Sequence, residues 1–260
     1  MSKEGILNHF GKEERSFAAR VFDWADGVSK TRVPYITNFV DPRYLEIIVN
    51  IVNTYVDLKL FSDGGHSNAE RVRVLITNDY ITPNYNDLGL IIYEITPENK
   101  HTVFQHKEIL GAVLNLGVKR DRFGDILISE NKQQFIVAND IAEYIRTALN
   151  QIGQTNVLLT EINRDSVIAV SNQYHIISTT VSSLRVDSVI SSTYNLSRSR
   201  VVEMIKKSLV KVNWQMIDQS DVRLKVGDTI SIRGYGRSQL IEDQGITKKG
   251  RIKIKVRKTT

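Results

Sequence analysis

The sequence predicts an α+β protein in three parts: a mainly helical start, a six-element βαββαβ middle and a small basic module at the end. Three observations lead there. Apolar residues recur at helical spacing early in the chain and switch to short alternating runs later. The middle elements fall in one recognisable order. Positive charge is concentrated in the last third. From Ser183 onward there are 17 Lys/Arg against 7 Asp/Glu, and the rest of the chain holds 18 against 22. The formal net charge of +6 is therefore the property of one module joined to a near-neutral body.

The 260 residues suffice for more than one domain, and 41% apolar composition supports a buried core. Boundaries at 76/77 and 182/183 divide the chain into an N-terminal helical domain, 1–76, a middle domain with linker, 77–182, and a basic domain, 183–260. In the first, Asp41-Pro42 is a helix start, with Asp as cap and Pro at the first helical position. Leu45, Ile48, Val49, Val52 and Val56 follow at helical spacing. Asp63-Gly64-Gly65 is a turn, and Arg71 to Ile76 alternates as a strand does.

In the middle part, Leu90–Ile95 predicts a strand and His106–Leu116 a helix. Two short strands, Asp125–Ile128 and Gln134–Val137, flank Asn131. Asp140 caps a helix to Asn150, with Ile141, Tyr144, Ile145 and Leu149 inward, and Val157–Ile162 is a last strand. The order is that of the split-βαβ, ferredoxin-like fold, which the RNA-recognition motif shares. The aromatic signature of that motif is missing, so base stacking on this sheet does not follow from the fold. Tyr174–Val181 reads as a strand or an extended linker.

The basic third opens on Ser197-Arg198-Ser199-Arg200. Val201, Val202, Ile205 and Leu209 share one arc of a helix; Arg200, Glu203, Lys206 and Lys207 share another. A Ser cap and free amides of the first turn beside Arg198 and Arg200 suit an anion. Val210, Val212, Trp214 and Met216 then alternate with Lys211, Asn213 and Gln215. Val226-Gly227-Asp228 turns into Thr229–Arg233, and Gly234-Tyr235-Gly236-Arg237 closes the unit. Ile252, Ile254 and Val256 alternate with Arg251, Lys253, Lys255 and Arg257, either as a strand with a basic stripe or as a basic tail.

Leu184-Arg185-Val186-Asp187, the Ser-Arg-Ser-Arg helix, Val210-Lys211-Val212-Asn213, Val226-Gly227-Asp228 and Arg233–Arg237 together resemble the S-four domain, a small RNA-binding module. Phe61–Gly65 with Ala69-Glu70-Arg71, and Gly111–Arg120 with Phe123–Ile126, extend the resemblance over nearly the whole chain, to the YlmH family of bacterial S-four-domain proteins. The resemblance implies a non-catalytic protein that binds ribosomal RNA and tRNA on the large ribosomal subunit. The family has links to quality control of stalled translation and to cell division. The sequence departs from the wider S-four pattern at Ser208, where many such domains have Gly, and at Asn213-Trp214, where many have Asn-Gly; both positions favour positive φ.

The expected RNA-binding residues are Arg185, Ser197, Arg198, Ser199, Arg200, Lys206, Lys207, Lys211, Asn213, Arg233 and Arg237. Arg185 has a second reading, as partner of Asp187. Trp214 suits stacking on a base or packing in the core. Lys119, Arg120 and Arg122 form a basic loop, read as a second RNA contact or a solvated loop.

The absence of Cys excludes a disulfide framework, a thiolate metal site and a cysteine nucleophile. The histidines at 9, 66, 101, 106 and 175 lack metal-ligand spacing, and Asp63–His66 lacks the Gly-Lys-Ser/Thr of a P-loop. No cofactor is expected. The start of the chain lacks the apolar run of a signal peptide and no segment suits a membrane span, so a cytoplasmic location is expected; the expected state is a monomer. Two alternatives remain: an RNA-modifying enzyme that uses the module for substrate binding, and a division scaffold. Against the enzyme stands the lack of a Gly-rich cofactor loop, of nucleotide-binding signatures and of a catalytic Asp motif outside the module.

Overall fold

The structure, a computed structural model, describes residues 3–8, 10–99, 102–169 and 174–259. The chain forms two compact units, 1–170 and 171–260.

The first unit opens with α1 (Lys3–Leu7) and α2 (Lys12–Thr31), followed by β1 (Tyr35–Ile36), α3 (Pro42–Val52), β2 (Leu58–Asp63) and β3 (Arg73–Asn78). Ala18, Val21, Phe22, Ala25 and Val28 are buried at helical spacing along α2. They pack with Ile47, Ile48, Ile51 and Val52 of α3 in one core. Asp41 caps α3, its carboxylate accepting the Tyr44 amide at 3.0 Å, and Pro42 fills the first turn, where no amide is needed. The helix stops at Val52, so Val56 is fully exposed beyond it. Besides its helices this region carries a three-stranded antiparallel sheet, order β1-β3-β2. The β2 strand has no counterpart in the sequence reading, because Leu58–Asp63 is short and the helical spacing, continued to Val56, covers the turn at 53–57 that separates it from α3.

The unit continues with β4 (Leu90–Pro97), α4 (His106–Asn115), β5 (Phe123–Ile128), β6 (Gln133–Ala138), α5 (Asn139–Ala148), β7 (Gln151–Ile152) and β8 (Thr155–Ile162). The sheet order β5-β6-β4-β8-β7 is antiparallel throughout. Without the short edge strand β7, this is the expected ferredoxin-like order. Two details differ. Asp140 lies in the first turn of α5, which Ala138 caps, and pairs with Arg122. Tyr144 is exposed, its hydroxyl donating to the Leu116 carbonyl at 2.9 Å, while Ala142 takes the inward position.

Helices α4 and α5 cover one face of this sheet, over Tyr93, Ile95, Phe135 and Val137. The opposite face, on Ile92, Leu127 and Ile136, packs against Phe39. A methyl group on Gly124 would stand 2.7 Å from Phe39 Cε1, so the sheet and the N-terminal region approach as closely as a glycine allows. The Asp125 carboxylate accepts the amides of Glu70 at 2.7 Å and Arg71 at 3.2 Å and lies 3.2 Å from His66 Nε2.

The second unit consists of β9 (Tyr174–Val181), α6 (Val186–Tyr194), α7 (Arg198–Lys206), β10 (Val210–Val212), β11 (Gln215–Met216), β12 (Thr229–Ile232), β13 (Gly236–Ile246) and β14 (Ile252–Thr259). They form one antiparallel sheet, order β11-β10-β12-β13-β14-β9. Of the two readings of Tyr174–Val181, strand is the one observed: it pairs with β14 from Tyr174 to Val181. Residues 252–259 are likewise a strand. Its hydrogen bonds to both neighbours explain why so charged a segment does not fray. The two helices lie over the face on which Val212, Ile230, Leu240, Ile254 and Val256 are buried. Val201, Met204 and Ile205 of α7 are at most 2% exposed. Each such side chain contributes about 1.5–3 kcal/mol of apolar burial before entropy is counted.

Candidate nucleic-acid interface

Helix α7 is set by its two ends. Asn195 closes α6 at φ 53°, a left-handed position that Asn tolerates. Two residues on, the Ser197 Oγ accepts the Arg200 amide at 3.2 Å and caps α7. At the other end the Ser208 amide reaches the Ile205 carbonyl (2.9 Å) and the Leu209 amide the Met204 carbonyl (3.0 Å). These are the two bonds of a Schellman end, with Ser208 at the position usually held by glycine. Its φ is 54°. Asn213 and Trp214 have φ values of 48° and 63°. They are the central residues of a two-residue hairpin between β10 and β11, and both carry the φ sign of a type I′ turn. At both departures from the S-four pattern, Ser208 and Trp214, the chain adopts the left-handed conformation despite a side chain.

Arg198, Arg200, Lys206 and Lys207 are exposed on α7. Arg198 donates to the hydroxyls of Ser182 (2.5 Å) and Ser188 (3.0 Å), which ties the start of α7 to the start of α6. The Ser197 and Ser199 hydroxyls lie 3.1 Å apart at the exposed first turn. Glu203 sits between Arg200 (3.0 Å) and Lys207 (2.6 Å). Their hydrogen bonds, Lys207 first, hold its carboxyl below the usual carboxylate range. Such exposed pairs are weak and give way readily to a phosphate.

The remaining expected residues divide. Arg185 pairs with Asp187, which is 5% exposed, at 3.2 Å; the hydrogen bond to Asp187, then its charge, raises the guanidinium pKa. Arg233 is exposed next to the end of α7, its amide bonded to the Leu209 carbonyl at 2.9 Å. Asn213 has a structural task. Its Nδ2 donates to Asp228 (2.8 Å) and its Oδ1 accepts the Thr229 amide (2.9 Å), joining the hairpin to the Val-Gly-Asp turn. Lys211 lies between buried Val210 and Val212 and points to the opposite face of the sheet from α7. Arg237 points the same way and lies over the Trp214 ring at 5.4 Å. Trp214 is half-buried in the turn, outside the hydrophobic core, so core packing does not account for it.

In the middle loop Lys119 is exposed, but Arg120 and Arg122 have protein partners. Arg120 donates to the carbonyls of Phe123 (2.7 Å) and Gly124 (3.2 Å) and lies over the Phe123 ring. Burial, and next the charge of Arg71, push its pKa down to about 10. Arg122 donates to Asn38 at 2.8 Å and pairs with Asp140. Arg122 thus joins the middle sheet to Asn38, while Arg120 braces its own loop against the start of β5. The sheet face on which an RNA-recognition motif would stack bases is also occupied. Phe39 and Ile168 pack on it, and the Gln134 side chain bonds the Ile168 amide (2.9 Å) and the Ser166 carbonyl (3.1 Å). Asp63-Gly64-Gly65 is the expected turn, held by the Gly65 amide on Asp63 at 2.5 Å.

The sequence reading passed over the roles of Asp63, Asp125 and Arg164 in joining the two parts of the first unit. The family-like motifs containing Asp63 and Asp125 were the available signal.

A protein built of RNA-binding domains, with an S4 domain in its C-terminal part, is the class that this fold and surface define. Residues 184–230 match the family model "S4 domain", residues 83–166 "Putative RNA-binding domain in YlmH" and residues 13–81 "YlmH, N-terminal". The "Ribosome-associated protein quality control protein P2" of Bacillus subtilis (strain 168) is 35% identical over 249 residues, covering 96% of each chain. The solved structure "Cell division protein ylmH from Streptococcus pneumoniae" is similar with a TM-score of 0.55 and 32% identity, over 62% of this chain and 98% of that one. The chain belongs to the YlmH family. Among the described residues, no helix is long and apolar enough to cross a membrane.

Proposed function

We propose that this protein is a non-catalytic, cytoplasmic RNA-binding factor that acts as a monomer on the ribosome. Its RNA partners are ribosomal RNA and tRNA at the large subunit, and its task is quality control of stalled translation. One observation carries the reading: an S4 domain whose helix α7 buries an apolar arc and exposes Arg198, Arg200, Lys206 and Lys207 beside a Ser-capped first turn. Exposed cations of this kind release counterions on meeting phosphate and supply affinity without sequence preference. The relative named for ribosome-associated quality control supports the setting. In this reading Arg185, Ser197, Ser199, Lys211, Asn213, Arg233 and Arg237 surround or shape the RNA surface. A link to cell division is the second reading, favoured by the name of the streptococcal structure.

The test replaces Arg198, Arg200, Lys206 and Lys207 together by Ala. The variant is expected to stay folded, with a thermal unfolding midpoint lowered only by the loss of the Arg198 bonds to Ser182 and Ser188, and to leave the ribosomal fractions of a sucrose gradient. A folded variant that still co-sediments with ribosomes overturns the reading.

A further inference from the structure

The sheet of the second unit has one face under α6 and α7 and one face open. The cross-strand partners Lys211–Ser231, Ser231–Arg237 and Gln239–Arg257 place these residues on the open face, because partners in register share a side. On β14, Ile254 and Val256 are buried, so Lys253, Lys255 and Arg257 point outward in alternation. Positive charge thus crosses from β10 to β14. Two of the guanidiniums lie on aromatic rings: Arg237 over Trp214 at 5.4 Å and Arg257 over Tyr174 at 4.6 Å. Tyr174 is 46% exposed. Glu242 also lies here, paired with Lys255 at 2.7 Å. Strands β13, β14 and β9 lie wholly outside residues 184–230, the part that matches the S4 domain.

Glu242 offsets one of the three alternating cations through its pair with Lys255, which leaves a net positive strand, and the hydrophobic core beneath does not require that charge. A phosphate chain laid across the strands would neutralise it.

We propose that this open face is a second RNA-binding surface, on the opposite side of the sheet from α7, which takes the sugar-phosphate backbone of a single strand through Lys253, Lys255 and Arg257. Tyr174 and Trp214 offer rings for bases at its two ends. Ser178, Thr180 and Ser231 supply hydroxyls for phosphate and sugar. RNA is favoured over an anionic membrane because the face is a flat, hydroxyl-bearing sheet without the broad apolar side that inserts into lipid. The proposal rests on the functional reading above for its choice of RNA as ligand; Lys211 and Arg237 border both surfaces, but Lys253, Lys255 and Arg257 belong to this one alone, so variants at those three test it separately.

The test uses the full-length protein and poly(U) RNA, with affinity measured against salt concentration. Lys253→Gln/Lys255→Gln/Arg257→Gln is compared with wild type, with the α7 quadruple Ala variant and with a charge-preserving variant, Lys253→Arg/Lys255→Arg/Arg257→Lys. Three lost phosphate contacts should make the slope of log affinity against log salt shallower by about 2 on a single strand. The charge-preserving variant should bind as wild type does, and thermal unfolding verifies that each variant is folded. A folded Gln variant with unchanged slope and affinity overturns the proposal, whatever the α7 variant does. Loss confined to the α7 variant leaves the helix reading intact and sinks this one; loss confined to the Gln variant does the reverse. If the Gln variant loses only binding to phosphatidylserine vesicles, the face is a membrane surface and the RNA proposal fails.

Discussion

Arg164 and Asp63 form a two-pronged ion pair, Nη1–Oδ1 and Nη2–Oδ2 both at 2.7 Å, between the turn after β8 and the end of β2. Asp63 is buried, and Arg164 also lies over the Tyr85 ring at 4.1 Å. The two residues are far apart in sequence and belong to the segments matching the N-terminal and the RNA-binding family models. Their pairing joins those segments, together with the packing of Phe39 on the middle sheet and the bonds of Asp125 to the Glu70 and Arg71 amides.

Arg164→Met keeps the aliphatic stem and leaves the Asp63 carboxylate without its main partner. The expected loss is about 1.5–3 kcal/mol, the range for a hydrogen bond to a charged group. Urea unfolding measures it, and RNA affinity should be unchanged, because the surface of the second unit is untouched.

Two glycines of the family-like motifs should respond oppositely to Ala. At Gly124 the new methyl would stand 2.7 Å from Phe39 Cε1, an overpacking that costs about 1–3 kcal/mol. At Gly111, inside α4, nothing lies within 4 Å, and Ala should stabilise by about 0.5–1 kcal/mol. Thermal unfolding of the two single variants separates the cases.

Ser208 holds a left-handed position at φ 54°. Ser208→Gly removes the Cβ conflict at the end of α7 and should raise stability by up to about 1 kcal/mol. No change, or a loss, in chemical unfolding would mean that the Ser side chain compensates for its backbone.

Glu203 is the acid among the cations of α7. Lys207 and Arg200 lower its pKa, so it stays charged below the usual carboxylate range. Its repulsion of phosphate therefore persists at neutral pH and is lost only as pH falls through that lowered value. Glu203→Gln should strengthen RNA binding about 2- to 5-fold at neutral pH, a shift on the scale of one exposed ion pair. The difference from wild type should vanish in acid; fluorescence anisotropy with labelled RNA across pH reads both effects.

Much of this architecture was legible from local signals. Asp41-Pro42 announced α3, the alternating apolar runs announced β4, β5, β6 and β8, and the apolar arc of Val201 and Ile205 announced the buried side of α7. These signals work because capping and face burial depend on residues a few positions apart. Strand β2 and the pairing of β9 with β14 were not legible, since a short or polar strand is defined by a partner elsewhere in the chain.

The candidate surface divides in the same way. The sequence by itself determined that cations gather in the last third and that α7 shows them on one side; that Ser208, Asn213 and Trp214 take left-handed turn positions came from the structure. The sequence did not determine which cations face solvent. Arg120 and Arg122 differ from Arg198 and Arg200 neither in type nor in local charge. Yet packing gives the first pair to carbonyls, Asn38 and Asp140 and leaves the second pair at the surface. Only the tertiary structure decided that, and only it laid Lys211, Arg237 and Arg257 on one open face. Helical faces and caps are written in neighbouring residues; the far side of a sheet is written in which strands become neighbours.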